Sequence, residues 1–370
     1  MSPVQSPDAG QRTIDPAAGA APDRAAVLEA AFRGYRAAHP RAYLRDAAVA
    51  LAVSELELLL ATRADETTRL RDDDWGAFMH ALPALGRVWT MTRNDQAVIE
   101  REGTYEGVMM RPYVGQVVSP TIDLRCFPTA WAHAVAVPGD ERTNAGASIQ
   151  LFDRHGTSVH KIRFAADGDA DAWRALVGTW QHAEPYAMLP LCEPPAPAPL
   201  RSLETIDVAA FRSAWDALTD THQFFGLLRQ HELSREQAFV LAGTPRARRT
   251  VIAALETVWH AARDAAETIM IFAGNPGMLQ IHIGVLTRVV RTPGWLNVMD
   301  DGVNVHVDET GLVSAWVVRK PTADGPVHSL ELFNAQGQCV LMLFAKRAEG
   351  EPEPAWWATL LQALPETVSV

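Results

Sequence analysis

The chain has 370 residues, 48% of them hydrophobic, with 33 basic and 44 acidic residues for a formal net charge of −11. That length allows two domains or one large two-lobed one, with apolar content ample for real cores. An acidic chain without a basic stripe argues against a nucleic-acid partner, and no apolar run approaches the ~18–20 residues of a membrane span, so no membrane insertion is expected.

Residues 1–24 are rich in Ala, Pro, Gly and Asp and lack apolar periodicity, which reads as a disordered extension. They hold no basic segment followed by an apolar core. Cys126, Cys192 and Cys339 form no close pair and no metal-type spacing. Both features point to a cytoplasmic location. From Ala25 to about Leu60 apolar residues recur at helical spacing, with Pro40 as a break and Ser54 with Glu57 as a capping box. Between about Arg87 and Phe164 the pattern changes to short strands, among them Ala97-Val98-Ile99, Gly115 to Val118, and Ser148 to Phe152 before a turn at Asp153 to Gly156. A helix is expected from Ala170 to about Trp180. The proline-rich stretch 193–199 reads as a linker. The order then repeats: helices from Phe211 to about Ala265, strands from Ile269 to Phe344, and a closing helix from Ala355.

The second pass matches the first by residue as well as by order. Ser148-Ile149-Gln150-Leu151-Phe152-Asp153 answers Ser329-Leu330-Glu331-Leu332-Phe333-Asn334 at an offset of 181. Leu51 to Glu55 answers His231 to Arg235 at 180, and Asp171-Ala172-Trp173 answers Pro354-Ala355-Trp356 at 183. The period is too long for a solenoid, so the expectation is a duplicated α+β fold. Residues 25–192 form one half and 200–370 the other, each a large antiparallel sheet covered by helices. No G-x-G-x-x-G after a strand, G-x-x-x-x-G-K-[ST], H-E-x-x-H or G-x-S-x-G occurs, which argues against a nucleotide-dependent enzyme or a serine hydrolase.

One residue breaks the repeat. In Leu218-Thr219-Asp220-Thr221-His222-Gln223-Phe224-Phe225, Thr219 or Asp220 reads as an N-cap, which places His222 in a first helical turn. There the helix dipole disfavours imidazolium and keeps the ring in its ligating form. The 180 offset puts Ala42 opposite His222, so the shared fold does not need the imidazole. Arg125, opposite His306, breaks the repeat in the same way.

Thr219 to Phe225, Leu233 to Ala238, the Arg319-Lys320-Pro321-Thr322-Ala323-Asp324-Gly325 block and Ser329-Leu330-Glu331-Leu332-Phe333 together resemble the bacterial haemin-degrading and haem-trafficking factors. Tyr43 to Asp46, Thr92 to Asn94 and Asp123 to Phe127 add to the resemblance, which runs from about residue 28 to 365. It implies one haem b, as substrate or cargo, in a cleft between the halves. It implies His222 as the proximal iron ligand, Arg125 as the distal and catalytic arginine, and Phe127 as a ring packed on the porphyrin. Lys320 and Arg347 would lie near the propionates, and Arg235 and Phe344 in or beside the pocket. Met342 and Phe344 stand where the family can carry a polar residue and a tyrosine. His133, His231 and His328 are secondary or transient ligand candidates, Cys126 a minor one, and His282 and His306 read as sheet residues. Two functions fit the same residues: degradation of haem with electrons from an external reductase, or carriage of haem from an importer to a separate haem oxygenase.

Overall fold

The computed structural model describes residues 11–12, 24–40, 42–139, 146–165, 167–184, 191–194 and 200–367. The expected linker therefore lies mostly outside the described residues, as does most of the expected extension. One piece of that extension is ordered against expectation: Gln11–Arg12 pairs antiparallel with Leu191–Cys192. Elsewhere the described strands build two antiparallel sheets of nine strands each. The chain divides into two compact units. The first comprises residues 1–91, 102–197 and 276–278, and the second 92–101, 198–275 and 279–370.

In the first unit the strands Arg87–Arg93, Ser158–Phe164, Ser148–Asp153, Trp131–Val137 and Thr68–Leu70 lie side by side in that order. Ala134, Ala136, Ile149, Leu151 and Ile162 face the helices Trp75–Ala81 and Ala170–Trp180 through Phe78, Met79, Leu176 and Trp180. On the opposite face Val135, Val137 and Phe152 pack under Leu56 and Leu59 of the helix Glu55–Arg63. Ser54 caps that helix by accepting from the Glu57 N–H at 3.1 Å. The helices Arg24–Ala38 and Leu44–Ala50 close this side. A smaller run, Asp123–Cys126, Gly115–Val118 and Met109–Met110, completes the unit's strands.

In the second unit the run is Ala247–Thr250, Leu312–Lys320, Val327–Asn334, Cys339–Ala345, Thr268–Asn275 and Met278–Val285. One face carries Ile269, Ile271, Leu330, Leu332, Leu341 and Leu343, packed on the helices Ala254–Asp264 and Ala355–Ala363 through Trp259 and Trp357. The other face is covered only in part. Trp316, Val318 and Phe333 lie under the helices Val208–Asp216, Gln223–His231 and Arg235–Ala242, whose Trp215, Phe224 and Phe239 form an aromatic layer. Phe239 meets Phe333 edge-on at 5.9 Å and Phe224 stacked at 6.0 Å. The strands Val289–Thr292, Trp295–Asp300 and Val303–Asp308 pair in sequence, and the last pairs with residues 97–101.

The repeat is visible in matching local devices. Asp153 Oδ1 accepts from the N–H groups of His155 and Thr157 at 2.8 and 2.9 Å, and Gly156 follows at φ 76°. Asn334 Oδ1 accepts from Gln336 and Gln338 at 3.1 and 2.9 Å, and Gly337 follows at φ 71°. Both turns need an Asx acceptor and a glycine at positive φ, so the same pattern recurs. Ser234, at the repeat position of Ser54, caps Arg235–Ala242 in a full capping box with Gln237. Ser234→Ala is expected to lower stability by about 1 kcal/mol, read from urea unfolding followed by tryptophan fluorescence.

Candidate functional site

His222 begins the helix Gln223–His231 at its cap position, in αR conformation, rather than within its first turn. The residue that does the capping chemistry is Asp220. Its Oδ1 accepts from the His222 backbone N–H and pairs with His222 Nδ1, both at 2.7 Å. The His222 N–H, then its ring, and more weakly Arg347 hold the Asp220 carboxyl below the usual carboxylate range. An ionised carboxylate can only accept, so Nδ1 of a neutral ring carries the proton and Nε2 keeps its lone pair. The side chain is 91% exposed, and Phe225, three residues on and so on the same helix face, is 61% exposed.

The loop that carries His222 is tied to the sheet at its back. Ala323 N–H donates to the Thr219 carbonyl at 2.9 Å, and Trp215 Nε1 donates to the Arg319 carbonyl at 3.1 Å. Thr322 closes the turn onto the Gly325 carbonyl through both its N–H (3.1 Å) and its hydroxyl (2.5 Å). The Arg-Lys-Pro-Thr-Ala-Asp-Gly block is thus the buttress of the histidine loop.

Beneath the helix lies a buried charge cluster. Glu331, with no exposed surface, receives Lys320 Nζ at 2.9 Å, Arg235 Nη2 at 3.0 Å, Arg235 Nε, and the Ser329 hydroxyl at 2.7 Å. Burial by itself would raise the Glu331 carboxyl; the Arg235 and Lys320 charges override it and hold it at about 2. Burial pushes the Lys320 ammonium down to about 8 against the pull of Glu331. Lys320 and Arg235 are therefore turned onto Glu331, with Lys320 nearly inaccessible. Arg235 also donates to Met342 Sδ at 3.3 Å and sits 5.9 Å from the Phe225 ring, linking helix to sheet.

Beyond the cluster the sheet face is not covered by the helical layer. The register sets Met270 opposite Phe344 and Phe272 opposite Met342. All four are half-buried, while Ile269, Ile271, Leu341 and Leu343 on the reverse face are buried. Phe272 and Phe344 meet edge-on at 5.2 Å. Arg347 donates to Asp324 at 3.4 Å and to the Glu351 carbonyl at 3.1 Å. The second unit so presents an exposed imidazole, a half-buried apolar strand pair and the Arg347 guanidinium.

In the first unit Arg125 sits on the strand Asp123–Cys126, its side chain 35% exposed, donating to Asp123 and to the Leu124 carbonyl. Phe127 is half-buried, and its N–H donates to the Gly277 carbonyl at 3.0 Å.

Several expected ligands are walled off. His133 is buried with a pKa lowered by desolvation, and buried His328 is bound to Glu353 through Nδ1. The His231 ring packs edge-on to Phe211 at 5.2 Å. The secondary-ligand roles of His133 and His328 are accordingly withdrawn, because neither nitrogen-bearing ring reaches the surface. Burial pushes both the Cys126 and Cys339 thiols up to about 12, which removes Cys126 as a thiolate ligand. His282 and His306 are sheet residues as expected, His282 lowered to about 4 by burial. Among the described residues no group of three or more His, Cys, Asp or Glu could hold a bare metal ion. A single exposed imidazole suits an iron whose equatorial positions are already filled.

Four residues carried no site reading in the sequence: Asp220, read there only as a cap, Glu331, Met270 and Phe272. For Met270 and Phe272 the signal was an alternating strand with large apolar side chains on both faces, one set of which must lie outside the closed core.

Comparison with known proteins places the chain as a whole. The family model for the haemin-degrading HemS/ChuX domain matches twice, at residues 52–180 and 232–364. The chain is 37% identical to the hemin transport protein HmuS of Yersinia pestis over 325 residues, which cover 87% of this chain and 92% of the relative. It is similar to the structure of holo-PhuS, a haem-binding protein from Pseudomonas aeruginosa, at TM-score 0.88 and 39% identity, covering 93% of this chain and 99% of the other. It is also similar to the haem-degrading enzyme ChuS of Escherichia coli O157:H7, at TM-score 0.85 and 32% identity, covering 92% and 99%.

The Glu331 cluster predicts an acid response. A carboxyl moved from 4.5 to about 2 on folding contributes stability that is present above the unfolded value and lost as pH falls between the two. The stability gap between parent and Glu331→Gln, steady near neutrality, is expected to shrink across that window in acid-unfolding curves.

Proposed function

From its membership of the haemin-degrading HemS/ChuX family, to which this chain belongs, we propose that it binds haem through His222, degrades it and releases iron in the cytoplasm. The observation that carries the reading is the His222–Asp220 pair, which holds Nδ1 of an exposed ring and turns Nε2 away from that carboxylate. Ligating histidines that donate their second N–H to a carboxylate are held in tautomer and orientation, and gain basicity. When bound, haem supplies the iron and the macrocycle on which the chemistry occurs. His222 would hold the iron through Nε2. Met270, Phe272, Met342 and Phe344 offer apolar contact to a porphyrin face, and Arg347 offers a cation to its propionates. Arg235 and Lys320 lend positive charge from behind, since two cations face one carboxylate in the cluster.

For Arg125 we propose the distal, catalytic role: its guanidinium would offer a positive charge to bound haem during breakdown. Phe127 is proposed as a further porphyrin contact. A pure carrier has no evident use for an arginine there, which favours degradation. Electrons would come from an external reductase. The carrier reading draws support from the exposure of His222, which suits a ligand that lets go, and from the relative named as a transport protein. In that reading the partners are an inner-membrane haem importer and a separate haem oxygenase. No helix among the described residues is long and apolar enough to cross a membrane.

His222→Ala is expected to keep the fold, as Ala42 shows at the repeat position, while shifting the Soret band and weakening ferric haem binding at least about tenfold. An unchanged ferric spectrum would remove His222 as the ligand. Arg125→Ala is expected to slow haem breakdown about 100-fold with a smaller loss of affinity. The deciding assay is a single turnover with reductant, catalase and superoxide dismutase present. Breakdown of haem under those conditions supports the enzyme. Intact haem that passes rapidly to an added haem oxygenase establishes the carrier.

A further inference from the structure

We propose that Glu331 is a positioning residue for the iron ligand: by holding Arg235 and Lys320 against Phe224, it fixes the first turn of the helix that presents His222. The proposal rests on the reading of His222 as the haem ligand and adds what keeps that ligand in place.

The geometry runs from the carboxylate outward. Glu331 binds both cations. Lys320 Nζ lies 4.7 Å, and Arg235 Cζ 5.1 Å, from the centroid of the Phe224 ring. Phe224 is two residues after His222 and is buried, edge-on to Trp215 at 5.1 Å. Cations over an aromatic face attract it, the more so where water is excluded. The ring side of the first turn is thus gripped by the cluster, and its preceding loop by the Ala323–Thr219 hydrogen bond. Without Glu331 the two cations would repel each other and leave the ring.

The first unit shows that the fold itself does not require this cluster. At the repeat positions of Glu331, Arg235 and Met342 stand Gln150, Glu55 and Lys161. There Lys161 pairs with Glu55, and buried Gln150 donates to Ser148 at 3.0 Å. That arrangement is neutral, and Ala42 occupies the place of His222. In the second unit the helix residue has the opposite charge, the sheet residue is a carboxylate, and Lys320 joins where the first unit has Gly139. The copy that carries the imidazole is the copy that carries the cluster. A buried ion network rarely improves stability over a neutral alternative, so its presence here is better explained by what it holds.

The test uses the full chain and two readouts. The first is backbone amide hydrogen exchange over residues 221–231 without haem; the second is the ferric spectrum and dissociation rate of added haem. Glu331→Gln is expected to speed exchange in that segment and to quicken haem loss about 10-fold to 100-fold, with a changed Soret band. The double variant K320M/E331Q keeps the net charge and removes one unpaired buried cation. It is expected to recover thermal stability while exchange and haem loss stay fast. Parental exchange over 221–231 in either variant overturns the proposal, as does recovery of both readouts together with stability in the double variant. Failure of both variants to fold would show a counter-ion needed by the fold and would also overturn it. His222→Ala serves as the control for the ligand: if it keeps the parental haem spectrum, the reading of His222 fails, and the exchange data still judge Glu331.

Discussion

A carboxylate with no exposed surface lies between two cations under the second unit's aromatic layer. Taking Glu331 out of water costs several kcal/mol, and that cost is met only where every lone pair finds a donor. Arg235, Lys320 and Ser329 provide those donors, and each is brought there by a different constraint. Arg235 is the first residue of a Ser-capped helix, while Lys320 and Ser329 lie on neighbouring strands whose register pairs Val318 with Ser329. The cluster marks a boundary on the sheet. On one side Trp316, Val318 and Phe333 are sealed under helices; on the other Met270, Phe272, Met342 and Phe344 are half open. A row of charge at that line ends the sealed apolar layer.

Much of the architecture was legible because its causes are local. The Asp153 and Asn334 turns announce themselves through an Asx residue and a glycine, and Ser54 and Ser234 announce helix starts. Helices then strands, twice over, followed from apolar spacing and from the three repeat anchors. What was misread has a physical reason too. The Thr219–Asp220 cap signal is real, but Asp220 spends its carboxylate on His222 rather than on the third residue of a helix, so the helix starts later.

The site was legible only where a residue type breaks the repeat. His222 and Arg125 stand out against Ala42 and His306, whereas Glu331 looked like one more polar residue in a strand. Its partner Arg235 is 96 residues away in sequence, and neither helix nor strand periodicity encodes a pairing of that separation. Lys320 was expected near the propionates; the structure turns it inward onto Glu331, a buried carboxylate that no local pattern announces.

The state of the cysteines bears on how the chain would withstand oxidants. Iron in the presence of reductant and oxygen yields peroxide, and peroxide attacks thiolates far faster than thiols. Cys126 and Cys339, the two whose side chains are described, are held near 12 by burial. At neutral pH such thiols stay protonated, whereas an exposed cysteine near 8.5 is ionised to a few per cent. The chain therefore places no ready sulfur nucleophile among these residues, and damage would fall first on softer, slower targets such as the half-open thioethers of Met270 and Met342. Methionine sulfoxide, unlike the higher oxidised forms of cysteine, is reversible by enzymatic reduction.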